Sequence, residues 1–295
     1  MSIPSGEPPI GGTLSVIRSL LPALVPSEQR VATQFLEHPS EISLLSVADV
    51  AARANVSAAT VVRTCKNLGF KGFQHLRLLL VRDIGSDRSV RDERLESSAS
   101  QDWVPAYFAA SARRSSDALG TLDYAEFDRA AATVALSRRI LIVGNGGSGP
   151  PAQLFALHLL TRGRGCEAPT DSVTQQVTAR TLDERDVLIA ISDSGENAVT
   201  LAAVTAAKGT GATVIGVSGY ARSQLCSDST MALVAGAGHA GITDSEAGIA
   251  STVVQVLLLF AFNAAIARAA GQSLDPSPAV RDQVMTLVSK AENSD

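Results

Sequence analysis

The spacing of apolar and polar positions changes along the chain. Up to residue 83 the apolar residues recur at helical intervals of three and four, with Ser, Pro and Gly at the ends of the stretches. After Arg139, short continuous apolar runs rich in Val and Ile alternate with Ala-rich stretches of helical length. The first pattern predicts a helical domain, and the second predicts parallel strands joined by helices.

The second part of the chain is predicted to be an α/β fold with a doubly wound parallel sheet. The predicted strands are Ile140 to Val143, Val187 to Ile191, Ala212 to Val217 and Met231 to Val234, with a weaker strand near Cys166 to Ala168. The predicted helices are Val104 to Leu119, Ala125 to Ser137, Ala152 to Arg162, Ala198 to Lys208 and Glu246 to Ala269. Ligands of such sheets bind at the carboxyl ends of the strands.

Two short helices are predicted in the segment that begins at Ser46. Ser46 and Ser57 can each cap a helix, a turn at Asn55 and Val56 lies between them, and the second helix runs from Ala58 to Leu68. Two helices joined in this way form a helix-turn-helix pattern, whose second helix enters the major groove of DNA. An ordinary helical hairpin with a solvated basic face is the alternative.

The outer side of this second helix carries the candidate DNA contacts. Inward positions are expected at Val61, Val62, Cys65 and Leu68, and outer positions at Ser57, Ala59, Thr60, Arg63, Thr64 and Asn67. Arg63 is expected to reach a guanine, and Ser57 or Thr60 a phosphate. Lys66, Lys71 and Arg77 are expected to contact the DNA backbone.

Charge and composition favour a DNA-binding module in this part of the chain. The net charge is −4, yet the stretch from Ser46 to Arg82 carries six basic residues and one acidic residue, which suits a polyanionic partner. The three cysteines and four histidines have no metal-ligand spacing, so neither a structural metal nor a disulfide framework is predicted.

A polar, Ser-rich stretch at residues 84–102 divides the chain. We therefore predict a helix-turn-helix domain at 13–83, a linker at 84–102 and an α/β domain at 103–295. The longest apolar run, from Val253 to Ala270, is interrupted by polar residues and is expected to be a buried helix and not a membrane span. No signal peptide is recognised at the N-terminus, and a cytoplasmic protein is expected.

The loop after the first strand contains the spacing G-x-G-x-x-G at Gly144, Gly146 and Gly149. This spacing is one mark of a dinucleotide site, and Asp171 lies near the position of the acidic residue that such a site needs. However, the two residues that follow Gly149 are prolines, which offer no N–H groups to a phosphate. No nucleotide cofactor is therefore predicted.

The loop after the second strand, ISDSGEN, favours a different ligand. The hydroxyls of Ser192 and Ser194, the backbone around Gly195 and the positive end of the next helix can converge on one phosphate. With Gly146 and Ser148 from the first loop, these groups predict a pocket for a compact phosphorylated and polyhydroxylated ligand.

Several motifs in the two parts resemble known families. The run from Ser27 to Arg77 resembles the N-terminal domain of the RpiR/MurR family of bacterial transcriptional regulators, with matches at Ser27-Glu28, Val56 to Arg63 and Leu68 to Phe73. Thr64 departs from the family, which usually carries Phe there. The stretch from Arg139 to about Ala270 resembles the sugar isomerase (SIS) domain, including a segment E-x-G-x-A-S-T that begins at Glu246.

The SIS resemblance implies a phosphosugar site and association into dimers or tetramers. The ligand-binding residues that follow from the resemblance and the loops are Gly146, Ser148, Ser192, Ser194, Gly195, Asn197 and Glu246. Asn197 stands where the family usually has Thr, and Asp193 places a carboxylate beside the expected phosphate. Both departures put the strength of phosphate binding in question.

The two resemblances imply a DNA-binding transcriptional regulator of carbohydrate metabolism, controlled by a phosphorylated sugar or aminosugar and bound to double-stranded operator DNA. A sugar-phosphate isomerase is the alternative, for which Glu246 and His239 are the acid–base candidates. No equivalent of the C-terminal catalytic lysine of the glucosamine-6-phosphate synthase isomerase domain is recognisable near the C-terminus. A phosphosugar-binding partner of another enzyme is the third class. No enzyme activity is predicted.

Overall fold

The computed structural model describes Pro8 and residues 11–86, 98–236, 245–273 and 286. Packing divides the chain into two compact units. The first unit is formed by Met1–Asp123, Ser218–Ser223 and Val234–Val254, and the second by Tyr124–Val217, Gln224–Leu233 and Gln255–Asp295. The units group residues by packing alone, and the boundaries 13–83, 84–102 and 103–295 of the two domains and their linker stay a prediction.

Helices form most of the first unit. They are α1 (Thr13–Leu20), α2 (Pro26–Glu37), α3 (Pro39–Ile42), α4 (Val47–Arg53), α5 (Ala58–Asn67), α6 (Phe73–Ser86) and α7 (Ser100–Asp117), with 3-10 turns at Leu21–Ala23 and Ala118–Thr121. Residues at both ends of the predicted linker are thus helical. A shared core joins α1 to α6, in which the rings of Phe35 and Phe73 stack with centroids 6.4 Å apart.

The predicted helix-turn-helix pair is confirmed in α4 and α5. The Ser46 side chain accepts from the Asp49 amide, while the Asp49 carboxylate accepts from the Ser46 amide, so a capping box begins α4. Asn55 adopts the left-handed conformation (φ 52°) in the turn, and Ser57 caps α5 by accepting from the Thr60 amide. Gly69 ends α5 with φ 87°, the conformation that glycine adopts most readily.

The second unit is built on a sheet whose described strands are β1 (Ile140–Gly144), β2 (Val187–Ile191), β3 (Thr213–Ser218) and β4 (Met231–Val234), in the order β1-β2-β3-β4. Strands β1, β2 and β3 pair in parallel. The helices are α8 (Tyr124–Leu136), α9 (Gly149–Thr161), α10 (Ser172–Arg180), α11 (Ala198–Lys208), α12 (Gln224–Asp228) and α13 (Ser245–Ala269), the last of which begins in the first unit. The α/β prediction is confirmed, although α10 and α12 were not predicted.

The weaker strand predicted near Cys166 to Ala168 is reduced to one parallel bridge between Glu167 and Leu141. Glu167 donates its amide to the Ile140 carbonyl at 2.9 Å and accepts from the Ile142 amide at 2.8 Å. The chain therefore leaves β1 on one side and returns to form β2 on the other, which makes the carboxyl ends of β1 and β2 the switch point of the sheet.

Both faces of this sheet are covered, which explains the continuous apolar runs of its strands. Leu141, Leu188 and Val214 share a core with apolar residues of α10, α11 and α12. On the other side of the strands Ile142 and Ile189 are also buried. Because crossover helices occupy the faces, polar groups gather at the strand ends.

Candidate functional sites

The loops after β1 and β2 meet at the carboxyl ends of these adjacent strands. Gly144 ends β1 where a Cβ atom would lie only 2.5 Å from the Ser148 carbonyl oxygen, so the turn toward α9 needs glycine. Ser148 lies in a short 3-10 turn, Gly146–Ser148, and its Oγ accepts from the Asp193 amide at 3.2 Å. The structure thus joins Ser148 to the loop that contains Ser192 and Ser194.

Ser148 is held by a second contact that the sequence analysis missed. Gln255 of α13 donates from Nε2 to Ser148 Oγ at 3.3 Å, and both residues are buried. A hydroxyl oxygen has two lone pairs, and these two donors occupy both, so the hydroxyl hydrogen of Ser148 remains available to a ligand. Gln255 Oε1 is buried without a hydrogen-bond partner among the described residues. The only signal in the sequence was a polar residue in an apolar run.

The β2 loop is organised by its own serines. Ser192 Oγ accepts from the Gly195 amide at 3.1 Å, and Ser194 Oγ accepts from the Glu196 amide at 3.2 Å. Gly195 has φ 68°, which lets the backbone turn toward the start of α11. Ser192 is buried and Ser194 is exposed. Each hydroxyl acts as an acceptor in these contacts, so each can donate its hydrogen to an anion at the helix end.

Asn197 has a structural task in this arrangement. It caps α11, with Oδ1 accepting from the Thr200 amide at 3.1 Å and from Thr200 Oγ1 at 3.3 Å. Asn145 of the β1 loop donates to Thr200 Oγ1 at 3.0 Å and exchanges two hydrogen bonds with the buried Gln175 of α10. Asn145 and Gln175 were not predicted as site residues, and they fix the β1 loop against α10 and α11.

The residues that favoured a dinucleotide have other roles. Asp171 is the N-cap of α10, where Oδ1 accepts from the Thr174 amide at 2.9 Å. Hydrogen bonds from the Thr174 side chain and backbone lower the pKa of Asp171. Pro150 and Pro151 occupy the first turn of α9, so this helix end has few N–H groups to offer a pyrophosphate. The glycine spacing here serves a tight turn between β1 and α9.

Two predicted acid–base candidates have no described side chain. His239 lies outside the described residues, and Glu246 lies in the described part of α13, but its side chain is not described. Within the residues that the structure describes, no group of three or more His, Cys, Asp or Glu side chains could hold a metal ion.

One described helical stretch, Ser251–Ala269, is long and apolar enough to cross a membrane, and 44% of it is buried.

The candidate DNA contacts lie on and beside α5 in the first unit. Arg63, Lys66, Asn67 and Lys71 are exposed, Thr60 is half-buried, and Ser57 is exposed while it caps the helix and pairs with Thr60 Oγ1 at 2.9 Å. The outward position expected for Thr64 is wrong. Its side chain is fully buried and its Oγ1 donates to the Thr60 carbonyl at 2.8 Å.

One acidic residue of α2 was missed as a partner of this surface. Glu28 Oε1 accepts from Arg63 Nε at 3.1 Å and from Asn67 Nδ2 at 2.9 Å. The Glu28 side chain is 6% exposed, whereas that of Arg63 is 60% exposed. The sequence did contain a signal, because Glu28 shares a helical face with the buried residues Val31, Ala32 and Phe35.

Two family profiles match the chain. One, described as a helix-turn-helix domain of the rpiR family, matches residues 11–87, and the other, described as a SIS domain, matches residues 134–268. The first match contains α1 to α6, and the second contains β1 to β4. Together they cover both candidate sites.

Two bacterial relatives are similar over most of the chain. An HTH-type transcriptional regulator of Caldanaerobacter subterraneus is 30% identical over 216 residues, which span 72% of this chain and 76% of the relative. The HTH-type transcriptional regulator YbbH of Bacillus subtilis is 30% identical over 220 residues, which again span 72% of this chain and 76% of the relative.

A solved structure shares the fold of the whole chain. It is the NanR protein of Vibrio vulnificus in complex with ManNAc-6P, which is 22% identical, with 95% of this chain and 98% of that chain covered and a TM-score of 0.54.

Proposed function

This chain belongs to the rpiR family of helix-turn-helix transcriptional regulators, and we propose that a phosphorylated sugar or aminosugar bound at the ends of β1 and β2 controls its binding to DNA. The two relatives described above are named as transcriptional regulators, so a regulator is proposed here in preference to an isomerase. The genes that it controls are proposed to serve carbohydrate metabolism.

The phosphate subsite carries this proposal. Ser148, Ser192 and Ser194 each use the oxygen of the hydroxyl as an acceptor within the loops, so each hydrogen can point to a bound anion. The capped N-terminus of α11 adds a positive potential at the same edge of the sheet. A phosphate ester fits such a set of neutral donors, and no lysine is needed.

The remaining predicted ligand residues are assigned to this subsite by proposal. Gly146 has φ 60° and nothing within 4 Å of an added Cβ, so its backbone lies open beside Ser148. Gly195 also has a positive φ, 68°, but it is buried in the β2 loop, and it is proposed to shape the turn that presents Ser192 and Ser194. Asn197 is proposed to act through α11, which it caps, and Glu246 is kept as a candidate contact to the sugar.

The DNA side of the proposal rests on α5. Arg63 and Asn67 are proposed to read base edges, and Lys66, Lys71, Ser57 and Thr60 to contact phosphates.

A homodimer or homotetramer would present two such helices to half-sites about 34 Å apart, or a multiple of that distance. An effector changes DNA binding only if it binds the DNA-competent arrangement and the other arrangement with different affinity.

The first experiment is thermal unfolding of the purified protein with a panel of ligands. The panel contains ManNAc-6-phosphate, because NanR was solved with it, together with other hexose and aminohexose phosphates, the same sugars without phosphate, and NAD. Stabilisation by a phosphosugar and not by its dephosphorylated form supports the phosphate subsite. A ligand at 100 times its Kd raises the free energy of unfolding by about 2.7 kcal/mol. Stabilisation by NAD alone would contradict the proposal.

A further inference from the structure

A buried carboxylate lies directly behind the proposed base-reading surface. Glu28 is in the first turn of α2, and its side chain is 6% exposed. Its two described hydrogen-bond donors, Arg63 and Asn67, both belong to α5 and are spaced four residues apart, so they lie on one face of the helix.

Burial of a carboxylate is costly unless it is paired and hydrogen-bonded. Glu28 receives one charge-assisted bond from the guanidinium of Arg63 and one bond from the amide of Asn67, both on the same oxygen. A residue that only tied α2 to α5 could be apolar, as its neighbours Val31 and Phe35 are. Unlike an apolar side chain, the carboxylate also fixes the orientation of its two partners.

The contact leaves the useful edge of Arg63 open. Glu28 engages only Nε, and the two terminal nitrogens of Arg63 have no hydrogen-bond partner among the described residues. Those two nitrogens form the edge that can donate end-on to O6 and N7 of guanine. Holding Nε fixes the side chain before DNA arrives, so less rotamer entropy is lost on binding.

We propose that Glu28 is a positioning residue for base readout, which holds Arg63 and Asn67 in the geometry that selects a base and keeps Arg63 from binding phosphates indiscriminately. This inference rests on the proposed reading of DNA by α5. The negative charge of Glu28 offsets the positive charge of Arg63, so the pair is only weakly attracted to the phosphate backbone of DNA. Glu28 therefore adds sequence discrimination at the expense of non-specific affinity.

Removing the charge of Glu28 is therefore expected to lower base discrimination and to raise the affinity for non-specific DNA. In Glu28→Gln, discrimination at the base that Arg63 reads should fall by roughly five- to tenfold, because Arg63 is less firmly held. Affinity for random-sequence DNA should rise, and its slope against salt should become steeper by about one counterion. A variant that was merely misfolded would lose specific and non-specific binding together.

The experiment is a selection from a library of randomised duplexes, carried out with the full chain and followed by titration of the selected duplex and its single-base variants. Arg63→Ala first identifies which base depends on Arg63. Glu28→Gln and Glu28→Ala are then compared with wild type at that base and at all others. At the base that Arg63 reads, the double variant Glu28→Ala/Arg63→Ala should match Arg63→Ala alone, because there the carboxylate acts through the guanidinium.

Glu37→Gln is the matched control. It removes one negative charge from the exposed end of the same helix, and it should leave the selected motif unchanged. Asn67→Ala tests the second partner and should reduce discrimination by a smaller factor. Thermal unfolding of every variant shows that the compared proteins are folded at the temperature of the titrations.

The possible outcomes separate this inference from the proposed function. In Glu28→Gln, loss of discrimination confined to the bases that Arg63→Ala and Asn67→Ala identify, with stronger non-specific binding, supports the inference. Unchanged non-specific binding would contradict the part of the inference in which Glu28 restrains Arg63 from phosphates. Wild-type discrimination in folded Glu28→Gln, or an equal loss at every base, overturns it while DNA reading by Arg63 stands. If Arg63→Ala itself keeps the wild-type motif, the reading of DNA by Arg63 is wrong and the role of Glu28 falls with it.

Discussion

The helix α5 and the loops after β1 and β2 place their polar groups in different ways. In α5, Ser57 caps the helix and Thr60 lies within the same turn, so the positions of several candidate contacts follow from a dozen consecutive residues. In the sheet, Ser148 meets Asp193 and Gln255, which are 45 and 107 residues away in sequence. The surface proposed to read DNA is largely a local structure, whereas the ligand site depends on the register of the sheet.

The largest expected effect on stability comes from removing the ion pair that joins the starts of β1 and β2. Arg138, just before β1, donates to the fully buried Asp186 side chain from Nε at 3.0 Å and from Nη2 at 2.8 Å, and Asp186 also accepts from the Asp183 amide. We expect Asp186→Ala to lower the free energy of unfolding by about 2–4 kcal/mol, because charged hydrogen bonds are lost and buried groups are left unpaired. Urea denaturation measures this loss, and Glu184→Ala is the exposed control.

The same cluster predicts a loss of stability in acid. The hydrogen bonds from Arg138 lower the pKa of Asp186, and those from Arg185 lower the pKa of Asp183 to about 2. Carboxylates with lowered pKa values contribute stability that is complete above the unfolded pKa of about 3.9 and is lost as pH falls through the folded values. Unfolding followed between pH 5 and pH 2 should show this decline, and Asp186→Asn should make it shallower.

The phosphate subsite gives the next effect. Ser194→Ala removes an exposed hydroxyl that is free to donate to an anion, so phosphosugar binding should weaken by about 1–3 kcal/mol with little change in stability. Isothermal titration of a phosphosugar into both proteins measures the difference. Ser40→Ala, an exposed serine of α3, should bind as wild type does. Equal dissociation constants for wild type and Ser194→Ala would remove Ser194 from the site.

Gln255 tests whether the long-range contact matters for the ligand. Gln255→Leu removes the donor to Ser148 and also the buried oxygen without a described partner. We expect phosphosugar binding to weaken by about 1 kcal/mol while stability stays level or rises, since an unpaired buried oxygen is costly. Asn263→Leu, at another buried polar position of α13, serves as the comparison. A loss of stability without a loss of binding would make Gln255 a purely structural residue.

The smallest effect is expected at the local caps. Ser46→Ala removes the capping box of α4 and should cost about 1 kcal/mol of stability, with no change in phosphosugar binding. Thermal unfolding and titration together check both halves of this statement. An effect on ligand binding as large as that of Ser194→Ala would mean that the two regions are not separable in the way described.

The local patterns were read well from the sequence. The caps at Ser46 and Ser57 and the strand Val187–Ile191 lie where short-range rules put them. The helix α10 was missed, because Asp171 was weighed only as the acidic residue of a dinucleotide site and not as the cap of a helix. Thr64 was placed outward because its residue type is polar, while its hydroxyl is satisfied within the helix and so can be buried.

The parts of the sites that escaped sequence analysis are contacts between distant elements. Glu28 and Gln255 are polar residues on otherwise apolar helical faces, a pattern that signals a buried partner without naming it. Their partners, Arg63 and Ser148, are fixed only by the packing of α2 against α5 and of α13 beside the β1 loop. A single sequence does not contain that packing in any local form.

The most direct test of ligand control is the affinity for a selected duplex, measured with and without saturating phosphosugar. ManNAc-6-phosphate, glucosamine-6-phosphate and fructose-6-phosphate are compared on wild type and Ser194→Ala. We predict that at least one of these phosphosugars changes the Kd for DNA by about 5- to 150-fold in wild type. Ser194→Ala should need a higher concentration of that phosphosugar for the same change. An unchanged Kd with every phosphosugar that stabilises the protein would contradict control of DNA binding through the strand-end loops.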